Sequence, residues 1–137
     1  MTKTAELIST HVCKSKDVGV HGNLFGGTML AWLDEAGAAF AAQVCGTPRM
    51  VTKSISEVIF HKPVRPGQII KIFGDVIRVG NTSVTIRLVA KRHSVVNGSQ
   101  KDVCTLDMVF VRIDGDGESV PIINIKKKYE SKRINKK

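Results

Sequence analysis

Hydrophobic and polar positions along this chain follow two periods, and each change of period marks an element. Met29, Leu33, Ala36, Phe40 and Val44 recur at spacings of three and four, the repeat of one helical face. Ala31, Ala36, Ala38, Ala39, Ala41 and Ala42 add helix propensity and a slim profile, so this helix can lie very close to a sheet. Over residues 83–92 the period is two, with Val84, Ile86, Leu88 and Ala90 on one face and Thr85, Arg87 and Lys91 on the other, interrupted by Val89. Residues 69–79 and 103–113 are apolar on both faces over part of their length, which predicts strands covered on both sides there. Residues 5–13 and 50–61 complete five candidate strands. Gly46-Thr47-Pro48 closes the helix, Pro63 and Pro66-Gly67 mark a turn, Gly80-Asn81 and Asn97-Gly98 read as hairpin turns, and Asp114 to Gly117 ends the last long strand. These elements predict an α+β protein, an antiparallel sheet of about five strands wrapped around one long central helix. A sheet this small leaves an edge open, and dimerisation through edge strands would extend and protect it.

Composition fits that picture. A chain of 137 residues with 42% hydrophobic content suits one domain with a real core. Aromatics make up only 5%, so aliphatic side chains must build the core. The formal charge of +9 is unevenly placed, because residues 124–137 carry a net +6 in seven Lys or Arg and the single acid Glu130. The domain is therefore assigned to residues 1–123, followed by a basic tail, residues 124–137, read as a solvated, partly frayed terminus. Apart from Tyr129 the tail has no aromatics to stack on bases, so nucleic acid is not an expected partner. Cys13, Cys45 and Cys104 are scattered and form no C-x-x-C pair; they are expected as buried, reduced thiols of a cytoplasmic protein. Residues 1–17 contain no apolar signal core, and the longest apolar run is interrupted by Asp34 and Glu35, so neither export nor a membrane partner is expected.

The chemistry concentrates between His21 and Asp34. Gly26 and Gly27 open the helix, Asn23 precedes them, and Asp34 lies about two turns in. Free backbone N–H groups at a helix start attract developing negative charge, and a nearby carboxylate can accept a proton. Together they read as a hydrolytic site. Glu35 is about 100° around the helix from Asp34 and need not pair with it; it is read as a structural or interface residue. His11, His61 and His93 match no metal spacing, and neither a metal nor a cofactor is assigned.

The stretch from His21 to Gly27, Asp34-Glu35 on the helix, Phe60 to Gly67, and Val79-Gly80-Asn81-Thr82-Ser83 together resemble the hotdog-fold acyl-CoA thioesterases, and within them the YciA-type bacterial acyl-CoA hydrolases. The resemblance covers residues 6–113. It implies a hotdog fold, an obligate homodimer with two shared sites, often a trimer of dimers, and hydrolysis of acyl-CoA to a free carboxylic acid and coenzyme A, which is part of the substrate and not a cofactor. It also implies Asp34 as the catalytic carboxylate, either general base toward water or nucleophile forming a mixed anhydride. Asn23 would position water or substrate. His21 would hydrogen-bond the thioester oxygen or the loop itself. Gly26 and Gly27 would form the oxyanion hole. Coenzyme A phosphates call for cations; the charged candidates are Lys62, Arg65, Arg78, Lys91 and Arg92, of which Arg65 and Lys91 are singled out, with Gly80, Asn81, Thr82 and Ser83 near the nucleotide or pantetheine. Asn81 departs from the arginine that many relatives carry there. Competing readings are a hotdog-fold hydroxyacyl thioester dehydratase using His21, and a non-catalytic acyl-CoA-binding or polyanion-binding protein.

Overall fold

In a computed structural model that describes residues 5–134, the alanine-rich run folds as α1, Gly26–Cys45. Its buried side is Met29, Leu33, Ala36, Gly37, Phe40, Ala41, Val44 and Cys45, the stripe that the three- and four-residue spacing marks out. Helix and sheet all but touch at two glycines. A Cβ on Gly37 would stand 2.8 Å from the Phe110 ring and 3.0 Å from Leu88, and one on Gly74 would collide with Ile8 and crowd the Phe40 ring. Such approach is open only to a residue without a side chain. Past Cys45 the helix stops at Gly46, whose φ of 65° is left-handed and whose N–H returns to the Ala42 carbonyl.

Around this helix run six antiparallel strands: β1 Glu6–Val12, β2 Met50–Ile55, β3 Ile59–Phe60, β4 Ile69–Val79, β5 Ser83–His93 and β6 Gln100–Arg112. Their order is β1-β4-β5-β6-β2, with β3 also on β6. The single strand expected over residues 50–61 is therefore two. Ile55 pairs with Met108 and Ile59 with Thr105, so four steps on one side face three on the other. The surplus residue breaks the ladder, and Ser56 bridges the gap by hydrogen bonds with Asp107. On the helix side Val84, Ile86, Leu88 and Ala90 of β5 are fully buried, as their alternation predicts.

Both sheet edges are open in the single chain. Every residue of β2 after Met50 is exposed, including Val51 and Ile55, and β3 adds exposed Ile59 and Phe60. β1 exposes Leu7 and Val12.

The described part of the basic segment after residue 123 is docked on the fold and not frayed, although Lys126, Lys127 and Lys128 stay exposed to solvent. Through Ile134 it packs back onto the fold: the Lys126 N–H bonds the Val44 carbonyl, residues Lys127–Lys132 form a 3-10 turn, and the Ile134 N–H bonds the Val79 carbonyl at 2.8 Å. Tyr129 explains the difference. Its ring meets Phe40 edge-on at 6.1 Å, and its hydroxyl donates to the Glu6 carboxylate, which Lys128 also pairs at 3.2 Å. One aromatic anchor docks the segment while its charged neighbours remain in water. Residues 135–137 lie outside the described part.

All three cysteines are buried and free. Burial pushes the thiols of Cys45 and Cys104 up to about 11 and raises that of Cys13. At neutral pH a disulfide reagent is expected to leave the folded protein unlabelled and to modify all three cysteines after denaturation; labelling of the native protein would contradict this packing. Tyr129→Ala should cost about 2 kcal/mol of stability through lost ring packing and the lost hydrogen bond, read as a lower denaturant midpoint with an unchanged slope.

Candidate active site

The start of α1 is held from two sides. The Lys14 N–H caps the short turn Ser15–Asp17 by donating to the Asp17 carboxylate at 2.9 Å. The Asp17 carbonyl in turn accepts the Phe25 N–H at 2.9 Å. Between them the chain makes a tight excursion in which Val18 and Leu24 form an antiparallel bridge and the Gly19 N–H bonds the Asn23 carbonyl. Gly22, with φ of 78°, turns the tip. From the other side the Leu24 N–H donates to the Val64 carbonyl at 2.7 Å, tying the motif to the loop that enters β4.

Phe25 is the N-cap, and no side chain caps the helix. Its carbonyl receives the N–H groups of Thr28 and Met29, while those of Gly26 and Gly27 find no acceptor among the described residues. Two backbone donors at the positive end of a twenty-residue helix are thus free. A Cβ at Gly27 would stand 2.8 Å from the Phe25 ring, so a side chain there would require that exposed ring to turn aside. Beside Gly26 opens a cavity of about 330 Å³ lined also by Asn23, Met29, Phe60, Lys62, Val64 and Val103. Asn23 Oδ1 is buried and receives no hydrogen bond from a described residue. Such an oxygen costs about 1–3 kcal/mol unless a donor reaches it, so it is an acceptor for a water or a ligand N–H.

Asp34 lies elsewhere. Eight residues beyond Gly26, it sits about 12 Å along the axis from the helix start. It is exposed and accepts a hydrogen bond from Thr52 Oγ1 at 2.7 Å. Thr52 belongs to the edge strand β2, so the carboxylate stands at the open edge with one oxygen oriented by Thr52. No pattern in the sequence singles out Thr52; the pair forms because β2 runs alongside α1. Glu35 points the other way, toward β1, where it acts electrostatically on His11. The His11 ring stacks on Trp32 at 4.4 Å and 9°, and burial holds its pKa below the usual value. The two neighbouring acids therefore do not form a pair.

The remaining candidates divide. His21 is exposed at the loop tip; it does not line the cavity beside Phe60 and Val64 but borders an adjoining cleft that it shares with Asn23, Leu24 and Gly26. The turn Gly80-Asn81-Thr82-Ser83 is at the far end of the sheet: Ser83 pairs with Val111, whereas Phe60, beside Gly26, pairs with Cys104. Seven residues of β6 separate them, about 23 Å. In that turn the Gly80 N–H is taken by the Ser83 carbonyl, and the carbonyls of Asn81 and Thr82 accept from Ile122 and Arg112. Lys91 Nζ is 2.6 Å from Asp102, an acid that answers its charge. Arg65 is exposed in the loop after β3, its N–H donating to the Gln68 side chain. Among the described residues no group of His, Cys, Asp and Glu could hold a metal, and no helix is long and apolar enough to cross a membrane.

Residues 21–97 match the model of the thioesterase superfamily. The chain is 31% identical over 105 residues to an uncharacterized acyl-CoA thioester hydrolase of Buchnera aphidicola subsp. Schizaphis graminum, a match covering 74% of this chain and 77% of that protein. It is 26% identical to the acyl-CoA thioester hydrolase YciA of Salmonella typhimurium, over 88% of this chain and 92% of the relative. Among solved structures it is similar to a hexameric hotdog-fold thioesterase of Campylobacter jejuni, with a TM-score of 0.79 and 31% identity over 89% of this chain and 93% of the other. A hexameric broad-specificity acyl-coenzyme A thioesterase superposes with a TM-score of 0.80 at 25% identity, over 92% and 86% of the two chains.

Proposed function

The chain belongs to the thioesterase superfamily and is a hotdog-fold acyl-CoA thioester hydrolase, and we propose that it cleaves its substrate at the start of α1 with Asp34 as general base. The free N–H groups of Gly26 and Gly27 would receive the oxyanion that forms when water adds to the thioester carbonyl. Asp34 would take the proton of that water. Collapse of the tetrahedral species breaks the C–S bond, the coenzyme A sulfur leaves and is protonated, and a carboxylic acid is released. Each preorganised donor of this kind is worth on the order of 10²–10³ in rate, and the base roughly 10²–10⁴. Asn23 Oδ1, buried without a donor, is suited to hold the attacking water or a substrate amide.

The observation that carries this reading is the separation of Asp34 from the helix start. About 12 Å is too far for both to act on one carbonyl in the same protomer. A two-fold assembly closes the gap. Gly27, Ala31 and Asp34 lie along one exposed stripe of α1, next to the open edge of β2. Antiparallel pairing of two β2 edges sets two such helices side by side in opposite directions. An axis passing near Leu30 and Ala31 then places Asp34 of one copy opposite Gly27 of the other. Small residues on the stripe permit that approach. The same operation carries the turn Gly80 to Ser83 of one copy to the end of the joined sheet where the other helix starts, so a coenzyme A contact from this turn, as from Arg65, belongs to the dimer. The similar thioesterases are hexameric, and a trimer of such dimers is the corresponding assembly here. A dehydratase using His21, which shares a cleft with Asn23 and Gly26, would instead add water to an enoyl thioester without releasing thiol.

Asp34→Asn is expected to lower kcat for thiol release from acyl-CoA by roughly 10² or more while coenzyme A still binds; turnover at the wild-type rate would remove Asp34 from the mechanism. Thr52→Val should lower kcat by a smaller factor, since it only orients the carboxylate. The shared site has its own test. Asn23→Ala and Asp34→Asn chains, each impaired alone, should regain up to roughly a quarter of wild-type activity when co-expressed, because a mixed dimer contains one intact site. No recovery in verified mixed dimers would place both residues in one protomer's site.

A further inference from the structure

Hydrolysis of a thioester ends with a proton on sulfur, and neither the Gly26 and Gly27 amides nor the Asn23 side chain is acidic enough to supply it. Among the described residues that line the cavity at the start of α1, two side chains carry a titratable proton, His61 and Lys62. Their chemistry separates them. A departing alkyl thiolate, whose thiol has a pKa of about 8.5, takes a proton downhill from an imidazolium, ordinarily about 6.5, but uphill from a lysine ammonium, ordinarily about 10.4.

His61 is also the one that the fold holds in place. Phe60, just before it, reaches the helix start: a Cβ on Gly26 would stand 3.5 Å from the Phe60 ring. The His61 N–H bonds the Val103 carbonyl at 2.8 Å, which continues the pairing of β3 with β6 by one residue. Its Nε2 stands 3.0 Å from Thr105 Oγ1. Thr105 is fixed in turn, because it lies between Ile59 of β3 and Val89 of β5 in the sheet. The imidazole is exposed, so burial does not account for this anchoring. Held at Nε2, the ring keeps Nδ1 for another partner, and no described residue takes it. His21 in the adjoining cleft has no comparable anchor among the described residues.

We propose that His61 is a further catalytic residue, the general acid that protonates the departing coenzyme A sulfur, with Thr105 as its positioning residue. This rests on the thioesterase reading above. As an imidazolium, His61 donates one N–H to Thr105 and presents the other, on Nδ1, to the cavity. Water adds to the carbonyl and Asp34 takes one of its protons. When the tetrahedral species collapses, the electron pair of the C–S bond goes to sulfur, which receives the Nδ1 proton. Asp34 then returns its proton through solvent to the neutral imidazole. One water is consumed, and one carboxylic acid and one thiol are formed.

The test is the pH dependence of kcat and KM for thiol release from acyl-CoA by the full chain. In the wild type kcat should fall as pH rises, because His61 must carry its proton. His61→Gln should melt at the wild-type temperature, since the side chain is exposed, and lower kcat roughly tenfold or more with KM unchanged. That is at or below the low end of general acid catalysis, because a thiolate leaves readily. The alkaline fall in kcat should disappear with it. Thr105→Val should lower kcat by a smaller factor and Thr105→Ser should restore it. A His61→Gln enzyme with wild-type kcat and an unchanged alkaline limb would overturn the proposal. So would a rise in KM alone, which would make His61 a binding residue; both outcomes leave the thioesterase reading intact. Failure of the wild type to release thiol from any acyl-CoA would instead defeat that reading, and the proposal with it.

Discussion

The near contact between α1 and the sheet sets the position of everything else in this molecule. Gly37 lies so close to Phe110 and Leu88, and Gly74 to Phe40, that a single added carbon would not fit at either place. Packing this dense has little slack, so an error at one end of the helix is transmitted to the other. A helix fixed in this way presents its first turn at one place only, beside Phe60 and Val64. Of the six alanines, Ala36 and Ala41 are buried and serve that closeness, while the others add helix propensity. With bulkier residues at the buried positions the same helix would stand further from the sheet.

The helix start is held rigid without being capped. Asp17 and Val64 accept the N–H groups of Phe25 and Leu24, which fixes the chain just before the first turn, while Gly26 and Gly27 keep their own donors free. A Ser or Asp in place of Phe25 could have taken the Gly27 donor. Asn23 is held in the same loop with its side-chain oxygen buried and unanswered. Both features cost stability in the isolated chain, and both are what a site requires if it is to bind a developing negative charge and an incoming donor. The open edge at β2 fits the same logic, because in the proposed dimer a second copy covering that edge would bring the carboxylate to the donors.

Charge is distributed in a way its total hides. Most of the excess sits in the segment after residue 123, which Tyr129 fastens to Phe40 and Glu6, so the cations of its described part, Lys126 to Arg133, lie along the fold. Arg92 and Lys101 stand out through their arrangement, as a cross-strand pair that no acid among the described residues answers.

Much of this was written into local sequence. The helical period from Met29 to Val44, the alternation in β5, the left-handed stop at Gly46 and the paired glycines at the helix start are short-range patterns, governed by backbone geometry and the burial of one face, and they were legible without any coordinates. Buried thiols followed from spacing and context. Other features depend on contacts between residues far apart in the chain. The break between β2 and β3 is a count of residues against the opposing strand, and the docked tail depends on one tyrosine reaching a glutamate 123 positions earlier. Likewise, the bond from Thr52 to Asp34 and the pairing of Arg92 with Lys101 exist only once strand register is set. Local pattern determined that a Gly-Gly helix start, an amide and a carboxylate would be present. Tertiary structure decided that the carboxylate stands about 12 Å from the donors at an open edge, because rise along a helix and the position of a sheet edge are properties of the folded chain.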